Sequence, residues 1–239
     1  EDKMITGLSV YNFEKKNDED NVAKTLRKIF DEQYLLKEEF NEIFISCAFD
    51  ESILTPKLYY NANQSNDNLN LMYGDLHPGV VLTDHVAERN LYNVYRITND
   101  IHKVITNQYK SVTFFHQYSL LIRKLQPAGN ILKLIFYNSK IVISLQKAGK
   151  LQIIQAFKYI TANDAVYHML NVCTRFDAKD VSVQLGGMIE KDSTLFTEIQ
   201  KYFLTTTFSD LPGGLLYTDE IKEFPTHFFS HLFAFALCV

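Results

Sequence analysis

The sequence predicts an α/β protein with mixed sheets flanked by helices, and three observations support that class. Ile131 to Tyr137 (ILKLIFY), Lys140 to Leu145 (KIVISL) and Leu151 to Tyr159 (LQIIQAFKY) are β-rich runs joined by tight turns at Asn138-Ser139 and Ala148-Gly149. Helical and strand patterns alternate after them. The first half of the chain carries a similar order of elements. A length of 239 residues suits one large domain or two compact halves.

Hydrophobic residues make up 46% and charged residues 22%, which excludes wholesale disorder. With 24 basic and 28 acidic residues the net charge is −4, so a basic nucleic-acid binder is not expected. Cys47, Cys173 and Cys238 lie far apart between apolar neighbours. They make neither a disulfide framework nor a metal knuckle, and reduced cysteine in a cytoplasmic protein is the expectation. The longest apolar stretch, Phe228 to Val239, contains Ser230 and His231 and is too short for the ~20 residues a membrane span needs. The start, Glu1-Asp2-Lys3-Met4, lacks the order of a signal peptide.

In chain order, Ile5 to Phe13 alternates like a half-buried strand. Asp18 to Leu36 places Val22, Leu26, Ile29 and Phe30 at helical spacing, and Asp18, Glu19 and Asp20 suit the positive end of the helix dipole. Glu42 to Phe49 reads as a buried strand. Ile53 to Asn70 contains Pro56 and five asparagines after position 60, and reads as a loop followed by a short helical turn. Val80 to Leu82 and Leu91 to Ile97 are strands, Thr98 or Asn99 caps a helix through Gln108, and Val112 to Phe115 is a strand. Gln117 to Leu125 is a helix that ends before Pro127.

After the three-strand run, Thr161 to Asp164 opens a helix through Cys173, and Val181 to Leu185 is a strand closed by Gly186-Gly187. Asp192-Ser193 caps a helix through Tyr202, Thr205 to Phe208 is a strand, and Pro225 starts a last apolar helix toward Leu237. Strand 5–13, helix 18–36 and strand 42–49 parallel strand 151–159, helix 161–175 and strand 181–185. The repeat rests on element order alone.

Duplicated units of this order resemble the actin-like ATPase superfamily, in which two RNase H-like halves clamp a nucleotide. The segments KLIFYNSKIVISLQKAGKLQIIQAFKY, VSVQLGGMIEKDS and FPTHFFSHLFAFALCV are similar to a Bacteroidetes domain-of-unknown-function family with that fold, across nearly the whole chain. The resemblance implies a first half over residues 1–128 and a second over 129–239. Because the sequence opens at Glu1 and not at Met, further strands of the first half are expected upstream.

The resemblance also implies a test of function. Enzymes of the superfamily place an Asp at the end of each half's first strand and Gly in the next turn, for the metal-bound water and the phosphates. Here the second-half hairpin is Phe136-Tyr137-Asn138-Ser139-Lys140, with neither. Asn138 could accept a hydrogen bond and Lys140 could meet a phosphate, but no carboxylate is available there to hold Mg²⁺. Gly186-Gly187 is similar to the superfamily's adenosine-contacting glycine pair, and Gly-Gly after a strand is also an ordinary turn device. If a nucleotide binds, Gly186, Gly187, Asn138, Ser139 and Lys140 are the residues expected to hold it, with ATP the one candidate cofactor.

Other constellations point to structure. His227 and His231 stand four apart, but no Glu adjoins the first, so no metal site is expected. Asp75, His77, Asp84, His85 and Glu88 collect titratable groups around a polar loop edge. Lys15-Lys16 reads as a solvated turn, and Gly213-Gly214 as a turn. No catalytic residue emerges. The expected function is a non-catalytic interaction or scaffold protein on a degenerate actin-like fold, with an unidentified protein partner and a homodimer left open. The alternative is a nucleotide-binding protein or ATPase using the cleft near Gly186-Gly187.

Overall fold

The computed structural model describes residues 3–11, 19–75, 78–125 and 128–238. The strands are β1 (Lys3–Ile5), β2 (Phe44–Cys47), β3 (Ser52–Pro56), β4 (Gly79–Val86), β5 (Leu91–Thr98), β6 (Thr113–His116), β7 (Ile131–Phe136), β8 (Lys140–Lys147), β9 (Lys150–Lys158), β10 (Ser182–Gly187), β11 (Thr206–Phe208) and β12 (Leu215–Tyr217). The helices are α1 (Glu19–Glu32), α2 (Ser65–Tyr73), α3 (Asn99–Gln108), α4 (Gln117–Arg123), α5 (Ala162–Arg175), α6 (Thr194–Gln200), α7 (Asp219–Lys222) and α8 (Ser230–Phe233). They fall into two compact units, residues 1–8 with 124–239, and residues 9–123.

The larger unit is built on a five-stranded sheet in the order β11-β10-β7-β8-β9. β7, β8 and β9 form an antiparallel meander, and β10 and β11 extend it on the far side of β7 as parallel strands. Ala148 and Gly149 at the second turn have φ of +48° and +76°, the left-handed pair that suits the right-handed twist of a two-residue hairpin. One sheet face carries the main core. Leu132, Leu134, Phe136, Ile141, Ile143 and Leu145 point to α5 and α6, where Met169 and Ile199 are fully buried.

Helix α5 begins at the expected place because Thr161 and Asp164 form a capping box. The Thr161 hydroxyl accepts from Asp164 N–H at 3.2 Å, and the Asp164 carboxylate accepts from Thr161 N–H at 2.8 Å. Those N–H donors, Thr161 first and Ile160 next, hold the Asp164 carboxyl below its ordinary range. Thr161→Ala is expected to cost about 1 kcal/mol of stability, read as a lowered urea midpoint with unchanged slope.

The smaller unit contains a parallel pair, β2 with β6, and an antiparallel sheet in the order β3-β5-β4. Ala23 from α1 and Ile101, Val104 and Ile105 from α3 share a core with Cys47, Tyr95 and Ile97. Helix, strand, helix and parallel strand thus occur in both units: α1-β2 with α3-β6, and α5-β10 with α6-β11.

The pattern signalled neither β12 nor α7, and three further elements differ from expectation. Strand 5–13 is confined to Lys3–Ile5, which pairs in parallel with β12, and residues 12 and 13 lie outside the described residues. The strand before the first-half helix is therefore not where the sequence pattern put it. The stretch expected as loop holds β3 and α2. Pro56 is tolerated because β3 is an edge strand, and Leu69 anchors α2 with no exposed surface. The final helix is broken into turns before α8, because the His227 carbonyl accepts from Gly187 N–H at 2.8 Å instead of serving a helix ladder.

Candidate functional site

The parallel register aligns Gly186 with Ile135 and Gly187 with Phe136. Both strands therefore end at the same edge as the β7–β8 hairpin, and carboxyl ends of parallel strands are where ligands of open α/β sheets bind. The fold brings all five sequence-predicted residues, Asn138, Ser139, Lys140, Gly186 and Gly187, to that edge. Asn138 and Ser139 are exposed at the hairpin tip, and Lys140 is half-buried where β8 begins. The hairpin is fixed by Tyr137 N–H to the Lys140 carbonyl, 2.8 Å, and by the Tyr159 hydroxyl to the Tyr137 carbonyl, 2.8 Å.

The glycine pair is buried and engaged with its own chain. Gly187 has φ of +78°, and a Cβ there would stand 2.2 Å from the Phe136 carbonyl oxygen. Gly186 is covered by the Ser209 hydroxyl and the His227 carbonyl, 3.4 and 3.7 Å from where its Cβ would be. The next residue continues the ladder, with Met188 N–H donating to the Phe136 carbonyl at 2.8 Å.

The two late histidines part company. His227 Nε2 donates to the Ile189 carbonyl at 2.7 Å, and burial holds its imidazole below the ordinary range. Both ring nitrogens of His231 are shielded from water without a hydrogen-bond partner, and the ring meets Tyr137 edge-on at 5.7 Å. Among the described residues no three His, Cys, Asp or Glu side chains are placed to hold a metal.

The polar edge around 75–88 is scattered, and His77 lies outside the described residues, as do Lys15 and Lys16. Asp84 is buried, accepting from Tyr95 Oη at 3.2 Å and from His116 N–H at 2.7 Å. Burial raises its carboxyl above the ordinary value against those hydrogen bonds. His85 stacks on Tyr92 at 4.6 Å, and Glu88 is 4.0 Å from Arg123.

Sequence reasoning missed one group. Lys133 sits on the sheet face opposite the main core, between Gln184 and Ser144 on the neighbouring strands. The signal was a single lysine within an otherwise apolar strand, ILKLIF.

A meander of three antiparallel strands extended by two parallel ones and flanked by helices is the sheet of an actin-like ATPase fold. A Bacteroides thetaiotaomicron VPI-5482 protein with actin-like ATPase fold and unknown function is similar over 91% of this chain and 82% of its own, with a TM-score of 0.75 at 16% identity. A chain of a PilM-PilN type IV pilus biogenesis complex is similar over 91% of this chain and 84% of its own, with a TM-score of 0.51 at 10% identity. The chain belongs to the family described as Protein of unknown function (DUF3822), whose model matches residues 1–205. No curated protein matches it. No helix among the described residues is long and apolar enough to cross a membrane.

Proposed function

We propose that the protein is a non-catalytic interaction or scaffold protein on a degenerate actin-like ATPase fold. The observation that carries this reading is the hairpin 137–140. It stands where the fold would bind phosphates and metal, yet it contains no carboxylate and no glycine. The engagement of Gly186 and Gly187 with Phe136 and His227 supports the same reading, since backbone already hydrogen-bonded within the chain is not free to lie against a base.

A protein partner is supported by the similarity to a PilM-PilN complex, in which this fold occurs in an assembly. Leu58, Tyr59, Leu71 and Met72 of the smaller unit stand in solvent, apolar surface that a partner or a second copy of this chain could cover. Three free cysteines, with the Cys47 thiol pushed up to about 12 chiefly by burial, fit a reducing cytoplasm.

Calorimetric titration with Mg-ATP tests the proposal. The expected result is no binding heat and no thermal shift. A dissociation constant below about 50 μM would overturn it in favour of a nucleotide-binding protein.

A further inference from the structure

One face of the central sheet buries the main core, and the opposite face carries a polar row. Gln184, Lys133 and Ser144 are directly aligned across β10, β7 and β8, so their side chains stand side by side. They line a cavity of about 100 Å³ together with Gln146, Lys124 and Ile131. That volume is several times what one water molecule occupies, enough for a small tetrahedral ion.

The chemistry of the lining is one-sided. Among the described residues no carboxylate borders the cavity. The ammonium of Lys133 is largely buried and has neither a hydrogen bond nor an ion pair among the described residues, nor do the side chains of Ser144 and Gln184 have a hydrogen bond. A lysine offers three donors and no acceptor, and the Ser hydroxyl and Gln amide can both donate. A buried cation without a counter-charge is unfavourable, and an entering anion both neutralises it and accepts from the adjacent donors. Lys124, exposed beside the cavity, adds a second positive charge near its mouth.

We infer that this cavity binds a small oxyanion of phosphate size, held by Lys133 with Ser144 and Gln184 as donors and with Lys124 drawing it in. The site is separate from the strand-end edge at Gly187 and too small for a nucleotide. It stands whether or not ATP binds.

Inorganic phosphate is the probe, titrated against the full chain with chloride at matched ionic strength as reference. Saturable stabilisation is expected, with Tm raised by about 3–6 °C at ten times the dissociation constant. Lys133→Met, which removes the charge with little change in volume, is expected to lose the rise, while Lys179→Met on the exposed surface keeps it. No rise beyond chloride, or an equal rise in Lys133→Met, overturns the inference. Should Lys133→Met fail to fold, phosphorus NMR of inorganic phosphate with Gln184→Leu replaces it. Line broadening by the wild-type protein that weakens in Gln184→Leu supports the site, and broadening that does not weaken overturns it.

Discussion

Replacing Gly187 by alanine is expected to cost the larger unit about 3–5 kcal/mol, with a matching fall in the urea midpoint. Two penalties add. The residue holds φ of +78°, which an L side chain adopts only under strain, and the new Cβ would meet the Phe136 backbone at 2.2 Å from its oxygen and 2.7 Å from its nitrogen. Backbone at the centre of a five-stranded sheet has no rotamer with which to yield. Relief would require parting β10 from β7, the contact on which the sheet's parallel half depends. Gly213→Ala is the control, since a Cβ there meets nothing within 4 Å, and its cost is expected within about 0.5 kcal/mol. A Gly187→Ala protein that loses less than about 1 kcal/mol would show the strand end to be adaptable, and would remove the packing reason for this glycine.

The same residue shows where sequence reasoning stops. A Gly-Gly after a β-rich run marks a place where Cβ is unwelcome, but what approaches it is set by partners 40 or more positions away in the chain. Those partners are Phe136 on the neighbouring strand and His227 near the end. The meander β7–β9 was legible because its information is local: period-two alternation, two-residue turns, and a left-handed Ala148-Gly149. The start of α5 was legible for the same reason, since Thr161 and Asp164 satisfy each other's backbone within one turn. Pairing of Lys3–Ile5 with Leu215–Tyr217 was not legible, because more than 200 residues separate them and each run is too short to signal its neighbour. Lys133 was hidden by composition. A single lysine among five apolar residues reads as noise until the register places Gln184 and Ser144 on either side of it.

Acidification should expose a second consequence of that polar sheet face. Burial first, and the Lys133 ammonium second, push the His231 imidazole from 6.5 down to about 4 in the folded protein. The unfolded chain titrates this group near pH 6.5, so between pH 6.5 and 4 the unfolded state binds the extra proton and the native state does not. Stability therefore falls as pH falls through that window, by roughly 3 kcal/mol at its lower end. His227, lowered by its burial, acts with the same sign. Asp84 acts with the opposite sign, because its raised carboxyl takes a proton in the native state before the unfolded chain does. The His231 contribution is isolated by comparison with His231→Phe, which keeps an aromatic ring against Tyr137 and cannot titrate. In phosphate-free buffer the stability difference between the two proteins is expected to be constant above about pH 7. Below that it should shift in favour of the variant by roughly 3 kcal/mol at pH 4. A difference that stays constant from pH 7 to 4 would mean the imidazole finds water or a partner when it protonates, and that its two shielded nitrogens are not sealed from solvent.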